Sequence, residues 1–165
     1  MDASTVATVF ALALFAGLVG IVVAVFNESV RALVRRRALM IAGSVAVAAT
    51  LGSLYFSGVA DFIPCKLCWY QRIAMYPLAV LLVMAAVRRD QSMLLYVRVI
   101  ALFGLAVAAY HVWIQWFPEK SNFCEFDNPC SARWVEAFDR VTIPQMAALS
   151  FVLIIATATI GLRPS

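Results

Sequence analysis

The chain has 165 residues, of which 64% are hydrophobic and only 13% charged, with a formal net charge of +4. Soluble domains carry about a quarter charged residues, so a water-facing surface cannot be coated here, and the length leaves room for a single unit. The positive charge sits in short runs between apolar stretches, which reads as membrane topology and excludes a nucleic-acid surface.

Five apolar stretches reach or approach the roughly 20 residues that a helix needs to cross a hydrocarbon core. They run Thr5–Phe26, Ala38–Ala60, Cys65–Val87, Leu94–Phe117 and Thr142–Leu162. A secretory leader would need a positive n-region before the first stretch. Only Asp2 precedes it, and the arginines come after, so it is expected to remain as a span. The third stretch is purely apolar only from Ile73 to Val87, and becomes long enough if its helix opens at Pro64, since proline suits a first turn. The fold expected is therefore all-α: an integral membrane protein of five spans. No internal repeat or low-complexity tract is present.

Basic residues mark cytoplasmic segments. The 27–37 segment with Arg31, Arg35, Arg36 and Arg37, the group Arg88, Arg89 and Arg98, and Arg163 are then expected inside. The N-terminus and segments 57–64 and 118–141 fall outside. Those outer parts are acidic or mixed, with Asp61, Glu119, Glu125, Asp127, Glu136 and Asp139 against Lys66, Lys120, Arg133 and Arg140. Every span alternates correctly with the N-terminus out and the C-terminus in. Within the outer loop, Ser131–Arg140 places Trp134, Val135 and Phe138 on one helical face, the pattern of a short interfacial helix, although a solvated turn fits nearly as well.

Four cysteines form two close pairs, Cys65 with Cys68 and Cys124 with Cys130, and the topology puts both on the extracytoplasmic side. Paired cysteines in an oxidising compartment suit disulfide chemistry. Cys65 and Cys68 are three apart at a helix start, so they share a face beside the positive end of the helix dipole, which favours thiolates. Arg72 follows one turn later, where a cation at the membrane boundary either serves a site or anchors the helix at the interface. In the second pair, Asn128-Pro129 favours a turn that brings Cys124 and Cys130 together. A loop this short stabilises less than the about 3 kcal/mol of a 15-residue loop, which suits exchange better than bracing. His111, the one histidine, stands near the outer end of the fourth span. It reads as a donor to a quinone carbonyl, a proton carrier, or a polar group bonded between helices. A structural disulfide and a four-thiolate zinc site remain the competing readings of the cysteines.

The stretch Cys65-Lys66-Leu67-Cys68-Trp69-Tyr70-Gln71-Arg72-Ile73-Ala74-Met75-Tyr76-Pro77-Leu78 resembles the signature of the disulfide bond formation protein B family (DsbB), especially its BdbC-type branch. Tyr110-His111 with Gln115 and Pro118, Cys124-Glu125-Phe126, and Ile143-Pro144-Gln145 match in order, so that the likeness covers roughly residues 38–162. It implies a four-helix bundle core over 38–165 carrying the outer redox loop 118–141. Residues 1–37, an N-terminal span and an arginine-rich loop, are additional to that core. It further implies an enzyme of the bacterial cytoplasmic (inner) membrane that reoxidises a DsbA-like, thioredoxin-fold oxidase and passes the electrons to the membrane quinone pool, ubiquinone or menaquinone, without a metal. Carried over by position, Cys124 takes the mixed disulfide, Cys130 exchanges with Cys65, and Cys68 faces the quinone with Arg72 beside the ring and His111 nearby. The spacing from Cys124 to Cys130 is short, as in the BdbC-type branch.

Overall fold

A computed structural model describes residues 2–118, 124, 129–138 and 140–162 of the chain. Glu119, Lys120, Glu125, Phe126, Asp127, Asn128, Asp139 and Arg163, which entered the topology and motif arguments, lie outside the described residues. Six helices and one two-stranded ladder follow in the order α1 (Ala3–Phe26), α2 (Glu28–Arg36), α3 (Ala38–Gly58), α4 (Lys66–Arg88), α5 (Met93–Trp116), β1 (Glu136–Ala137), β2 (Val141–Thr142) and α6 (Ile143–Leu162). Five of these helices, all but α2, are long and apolar enough to span a bilayer. The expected spans are thus present with ends shifted by a few residues, and the chain is a multi-pass membrane protein.

Helices α3 to α6 form the bundle, each packed against its neighbours, with α6 also closing onto α3. Lipid tails are as apolar as leucine, so burial of apolar surface gives little drive for helices to associate, and close backbone approach matters instead. The contacts follow that rule. Ala38, Ala42 and Ala46 form a fully buried stripe on α3, and Ala101 and Ala108 do the same on α5. Gly104 of α5 lets the ring of Phe151 on α6 lie against the helix backbone, where any Cβ would collide with that ring. Outward faces carry Val80, Val83, Leu102 and Phe103, which are exposed to the lipid position.

The added helix α1 packs on α6 through Ala7, Ala11 and Leu14, leaving Val9, Leu12, Val19 and Val22 exposed. The segment after it was expected as a loop but is helical. Asn27 caps α2 by accepting from the backbone N–H groups of Ser29 and Val30 at 3.0 and 3.2 Å. Such a cap satisfies donors that a helix start otherwise leaves unpaired. Arg31 then folds back and donates to the Ala24 and Val25 carbonyl oxygens at the end of α1. The arginines of α2, with Arg88, Arg89 and Arg98, gather at one end of the bundle, and the cysteines lie at the other.

The expected interfacial helix over Ser131–Arg140 is not formed. The described part of that segment makes the short antiparallel ladder of β1 with β2, pairing Glu136 with Thr142 and Ala137 with Val141. Phe138, at the turn, has φ of 54°, a left-handed conformation that a helix does not contain. Trp134 leaves the helical pattern because it stacks on Phe62, with ring centroids 5.4 Å apart. Tertiary packing outweighs a local amphipathic pattern only three residues deep.

Candidate redox site

Pro64 fixes extended backbone ahead of α4, and Cys65 becomes its N-cap, with φ −72° and ψ 171°. Its Sγ accepts from the backbone N–H of Cys68 at 3.3 Å, filling the role usually taken by Ser or Asp. The helix therefore begins at Lys66, two residues after the Pro64 start expected from the sequence, and Cys65 stands at the positive end of the dipole. One turn of helix brings the two sulfurs to 2.9 Å, and both are free thiols. Cys65 is buried, and Cys68 is half-buried.

Cys124 and Cys130 are disulfide-bonded, with Cα atoms 5.8 Å apart. The two ends of this bond differ in access. Cys130 is 2% exposed and packs with Cys65, Leu67 and Ile114, whereas Cys124 is only partly covered. Cys65 Sγ, a His111 ring nitrogen and Cys130 Sγ lie within 4.8 Å of one another. The two cysteine pairs thus meet through their buried members. These three atoms form a metal-like cluster among the described residues, but Cys130 Sγ is bonded to Cys124 and offers no thiolate. With that bond closed the cluster offers one thiol and one imidazole, short of the four ligands of a structural zinc site.

His111 was expected as a donor to a quinone carbonyl, a proton carrier or a polar group bonded between helices. It lies between the cysteine pairs, with Nε2 3.6 Å from Cys65 Sγ and 2.9 Å from the Cys130 carbonyl oxygen. On its other side Nδ1 is 2.9 Å from Gln71 Nε2. It does not line the larger cleft described next.

That cleft lies between α3, α4 and α6 and is partly open to its surroundings. Its walls are mostly apolar, including Phe56, Met75, Met146 and Phe151, with Phe10 of α1 and Trp134 of the loop at the edges. Cys68 and Arg72 supply its reactive and charged groups. Arg72 is held in place by Ser53 of α3, donating through Nε to the hydroxyl and through Nη2 to the carbonyl oxygen, both at 2.9 Å. Its guanidinium also stands 5.2 Å from the Trp69 ring centroid, a cation–π contact. A guanidinium with fixed partners on the wall of an apolar cleft is oriented, not trailing into the interface.

Three functional-looking side chains escaped the sequence reading of single residues: Ser53, Gln71 and Gln115. Ser53 sits in a small-residue helix with no motif around it. Gln71 and Gln115 lie inside quoted motifs, and a polar amide in an apolar span was the signal that could have flagged them.

Comparison with known proteins closes the assignment. The family model described as "Disulfide bond formation protein DsbB" matches residues 35–161. Disulfide bond formation protein C of Bacillus subtilis (strain 168) is 43% identical over 113 residues, covering 67% of this chain and 82% of that protein. A probable disulfide formation protein of Oceanobacillus iheyensis is 38% identical over 118 residues, covering 70% and 81%. A probable disulfide formation protein C of Halalkalibacterium halodurans is 38% identical over 120 residues, covering 72% and 88%. No solved structure matches significantly. With two cysteine pairs meeting at one end of a five-span helical membrane protein, the chain belongs to the DsbB family of disulfide bond formation proteins and is a thiol–disulfide oxidoreductase of the membrane.

Proposed function

We propose that the protein draws electrons from the dithiol of a thioredoxin-fold, DsbA-like oxidase and delivers them to a quinone in the cleft beside Cys68. The single observation that carries this reading is the convergence of the pairs: the buried sulfurs of Cys65 and Cys130 approach within 4.8 Å, while Cys68 lines the cleft.

The exchanges balance as follows. A partner thiolate attacks Cys124 Sγ, forms a mixed disulfide and leaves the electron pair on Cys130 Sγ. With Cys65 and Cys68 first joined as a disulfide, their two electrons having passed to the quinone, Cys130 attacks Cys65 Sγ, so that a Cys65–Cys130 bond forms, the Cys65–Cys68 bond breaks and Cys68 departs as thiolate. The partner's second thiolate then resolves the mixed disulfide, and the freed Cys124 attacks Cys130 to expel Cys65. The result is an oxidised partner, a closed Cys124–Cys130 bond and two thiols at Cys65 and Cys68, the same oxidation pattern described above.

The cleft fits a quinone by its chemistry. Its apolar walls suit a ring and an isoprenoid tail, and Arg72 offers a planar set of donors that a carbonyl oxygen accepts. A bound quinone supplies a two-electron acceptor there. Cys68 presents its sulfur to it, Arg72 keeps a cation near both, and Ser53 holds that cation in register. Such an acceptor is needed because a DsbA-type partner is a strong oxidant, near −120 mV, and each 30 mV of mismatch in a two-electron couple costs about 1.4 kcal/mol.

The arginine-bearing end is placed in the cytoplasm and the cysteine end outside, with the N-terminus out and the C-terminus in, in a bacterial cytoplasmic membrane. An impermeant thiol reagent applied to intact, reduced cells should label Cys124, the more exposed member of the loop pair. Labelling only after the cytoplasm is opened would contradict this orientation. The function itself is tested by mixing purified protein anaerobically with reduced partner and quinone. Loss of quinone absorbance matched by partner oxidation is expected. Partner oxidation without quinone reduction would overturn the reading.

A further inference from the structure

Opening the Cys124–Cys130 bond removes the covalent restraint on Cys130 at the moment it has to attack Cys65. Something else has to keep it in place, and α5 carries the groups for this. His111 and Gln115 stand one helical turn apart on that helix, 2% and 6% exposed. They reach carbonyl oxygens of the loop that lie two residues apart. His111 Nε2 is 2.9 Å from the Cys130 carbonyl oxygen, and Gln115 Nε2 donates to the Ala132 carbonyl oxygen at 3.4 Å.

Each of these side chains is itself oriented from a different helix. Gln71 of α4 sets its amide nitrogen 2.9 Å from His111 Nδ1. A donor at Nδ1 leaves the ring proton on Nε2, the tautomer able to donate to the Cys130 carbonyl. Thr142, just ahead of α6, donates its hydroxyl to Gln115 Oε1 at 2.7 Å. The loop is thereby gripped at two points by side chains whose own freedom is spent on bonds to α4 and the start of α6. The His111 Nε2–H lies 3.6 Å from Cys65 Sγ as well, so the same ring touches both reacting residues.

We propose that His111 and Gln115 form a two-point clamp that positions Cys130 on Cys65 for the transfer of the disulfide between the pairs. This rests on the relay proposed above and assigns His111 to the thiol exchange instead of to the quinone. In the step served, the Cys130 thiolate attacks Cys65 Sγ, the Cys65–Cys130 bond forms, the Cys65–Cys68 bond breaks, and the electron pair leaves on Cys68. No proton is transferred. The clamp contributes through the backbone, keeping the attacking sulfur within reach, and a displacement of about 1 Å is enough to cost about 100-fold in rate.

The test is a single turnover without quinone. Fully oxidised protein is mixed anaerobically with a reduced thioredoxin-fold oxidase, quenched in acid, alkylated, and read by mass for the Cys124 mixed disulfide and for the Cys68 thiol. In His111→Ala the mixed disulfide should form at the parent rate and accumulate, with Cys68 thiol appearing up to about 100-fold more slowly. His111→Gln, whose amide also donates, should recover part of that loss. Gln115→Glu, which removes the donor to Ala132 while keeping size, should slow the same step by a smaller factor. Steady-state assays should show kcat falling with the quinone KM unchanged. Cys68 thiol appearing within twofold of the parent rate in both His111→Ala and Gln115→Glu would overturn the clamp. So would a raised quinone KM in His111→Ala with the exchange rate intact, which would return the histidine to the cofactor. Absence of Cys65–Cys68 reduction in the unaltered protein would instead sink the relay on which the clamp rests.

Discussion

The two cysteine pairs are built on opposite plans. Cys65 and Cys68 are fixed by a helix start: the N-cap bond from Cys68 to Cys65 Sγ and the following turns of α4 leave neither sulfur room to wander. Cys124 and Cys130 are joined across a loop near which the described residues form the two-residue ladder of β1 and β2. A loop pair is accessible and closes little chain entropy, so it can meet a large soluble partner. A helix pair is set by its backbone and one of its members, Cys68, lines an apolar cleft, so it can hold a sulfur beside a small ring. For the proposed relay the division means that collecting electrons from a protein and delivering them to a lipid-soluble acceptor fall to different supports, which touch at Cys65 and Cys130.

The strongest way to break the comparison is to remove the touching member of the loop pair. Cys130→Ala should abolish turnover and trap a mixed disulfide between Cys124 and the partner, visible on non-reducing gels. Full turnover in a Cys124→Ser, Cys130→Ser double variant would show that the loop pair only braces the fold.

The helix pair is sharpened by its cation. Arg72→Ala should raise the quinone KM about tenfold, equivalent to about 1.4 kcal/mol, while leaving the Cys124–partner step unchanged. Arg72→Lys should recover only part, because lysine keeps the charge but lacks the planar fork. Complete recovery by lysine would assign Arg72 to anchoring the helix. A smaller effect of the same kind is expected from Ser53→Ala. The substitution removes the hydroxyl that accepts from Nε, while the carbonyl oxygen of residue 53 still holds Nη2 and the charge stays in place. A few-fold rise in quinone KM, measured beside Arg72→Ala, checks it.

The smallest effect belongs to the loop surface. Arg133 and Glu136 form an exposed ion pair at 3.1 Å. Pairs of this kind contribute about 0–1 kcal/mol and weaken with salt. Glu136→Gln should leave kcat and both KM values within about twofold, by the same steady-state assay at low and high salt. A large loss would mean that the loop's position depends on surface charge more than on the buried contacts of His111 and Gln115.

How much of this was legible in the sequence depends on what kind of signal each feature leaves. The spans and the cysteine motif leave strong ones, since charge is scarce and CxLCWYQR combines several rare residues. The inward faces of the helices leave almost none. In a soluble helix polar residues mark the outside, but here both faces are apolar, and only small residues such as Ala38, Ala42 and Ala46 betray contact. The contacts of His111 leave no local signal because its neighbours come from far along the chain: Gln71 on α4 and the Cys130 carbonyl oxygen. A backbone acceptor has no side chain to read, and so no motif announces it. The helix expected over Ser131–Arg140 failed for a related reason, since the stacking of Trp134 on Phe62 joins residues 72 apart in sequence. Segment α2 erred in the other direction: its arginines suggested a loop, while Asn27 followed by Glu28 is a helix-start signal.

The central claim is that electrons enter at the loop pair and leave from the helix pair, in that order. The most direct measurement is a rapid-quench time course of protein oxidised at both pairs, mixed anaerobically with reduced partner, with every cysteine's state read by alkylation and mass. The account requires the Cys124 mixed disulfide first, then a Cys65–Cys130 bond, then thiols at Cys65 and Cys68 with Cys124–Cys130 closed again. Adding quinone should reoxidise only Cys65 and Cys68. Reduction of Cys65–Cys68 at the parent rate in the Cys124→Ser, Cys130→Ser variant would contradict it, because electrons would then be reaching the helix pair without the loop.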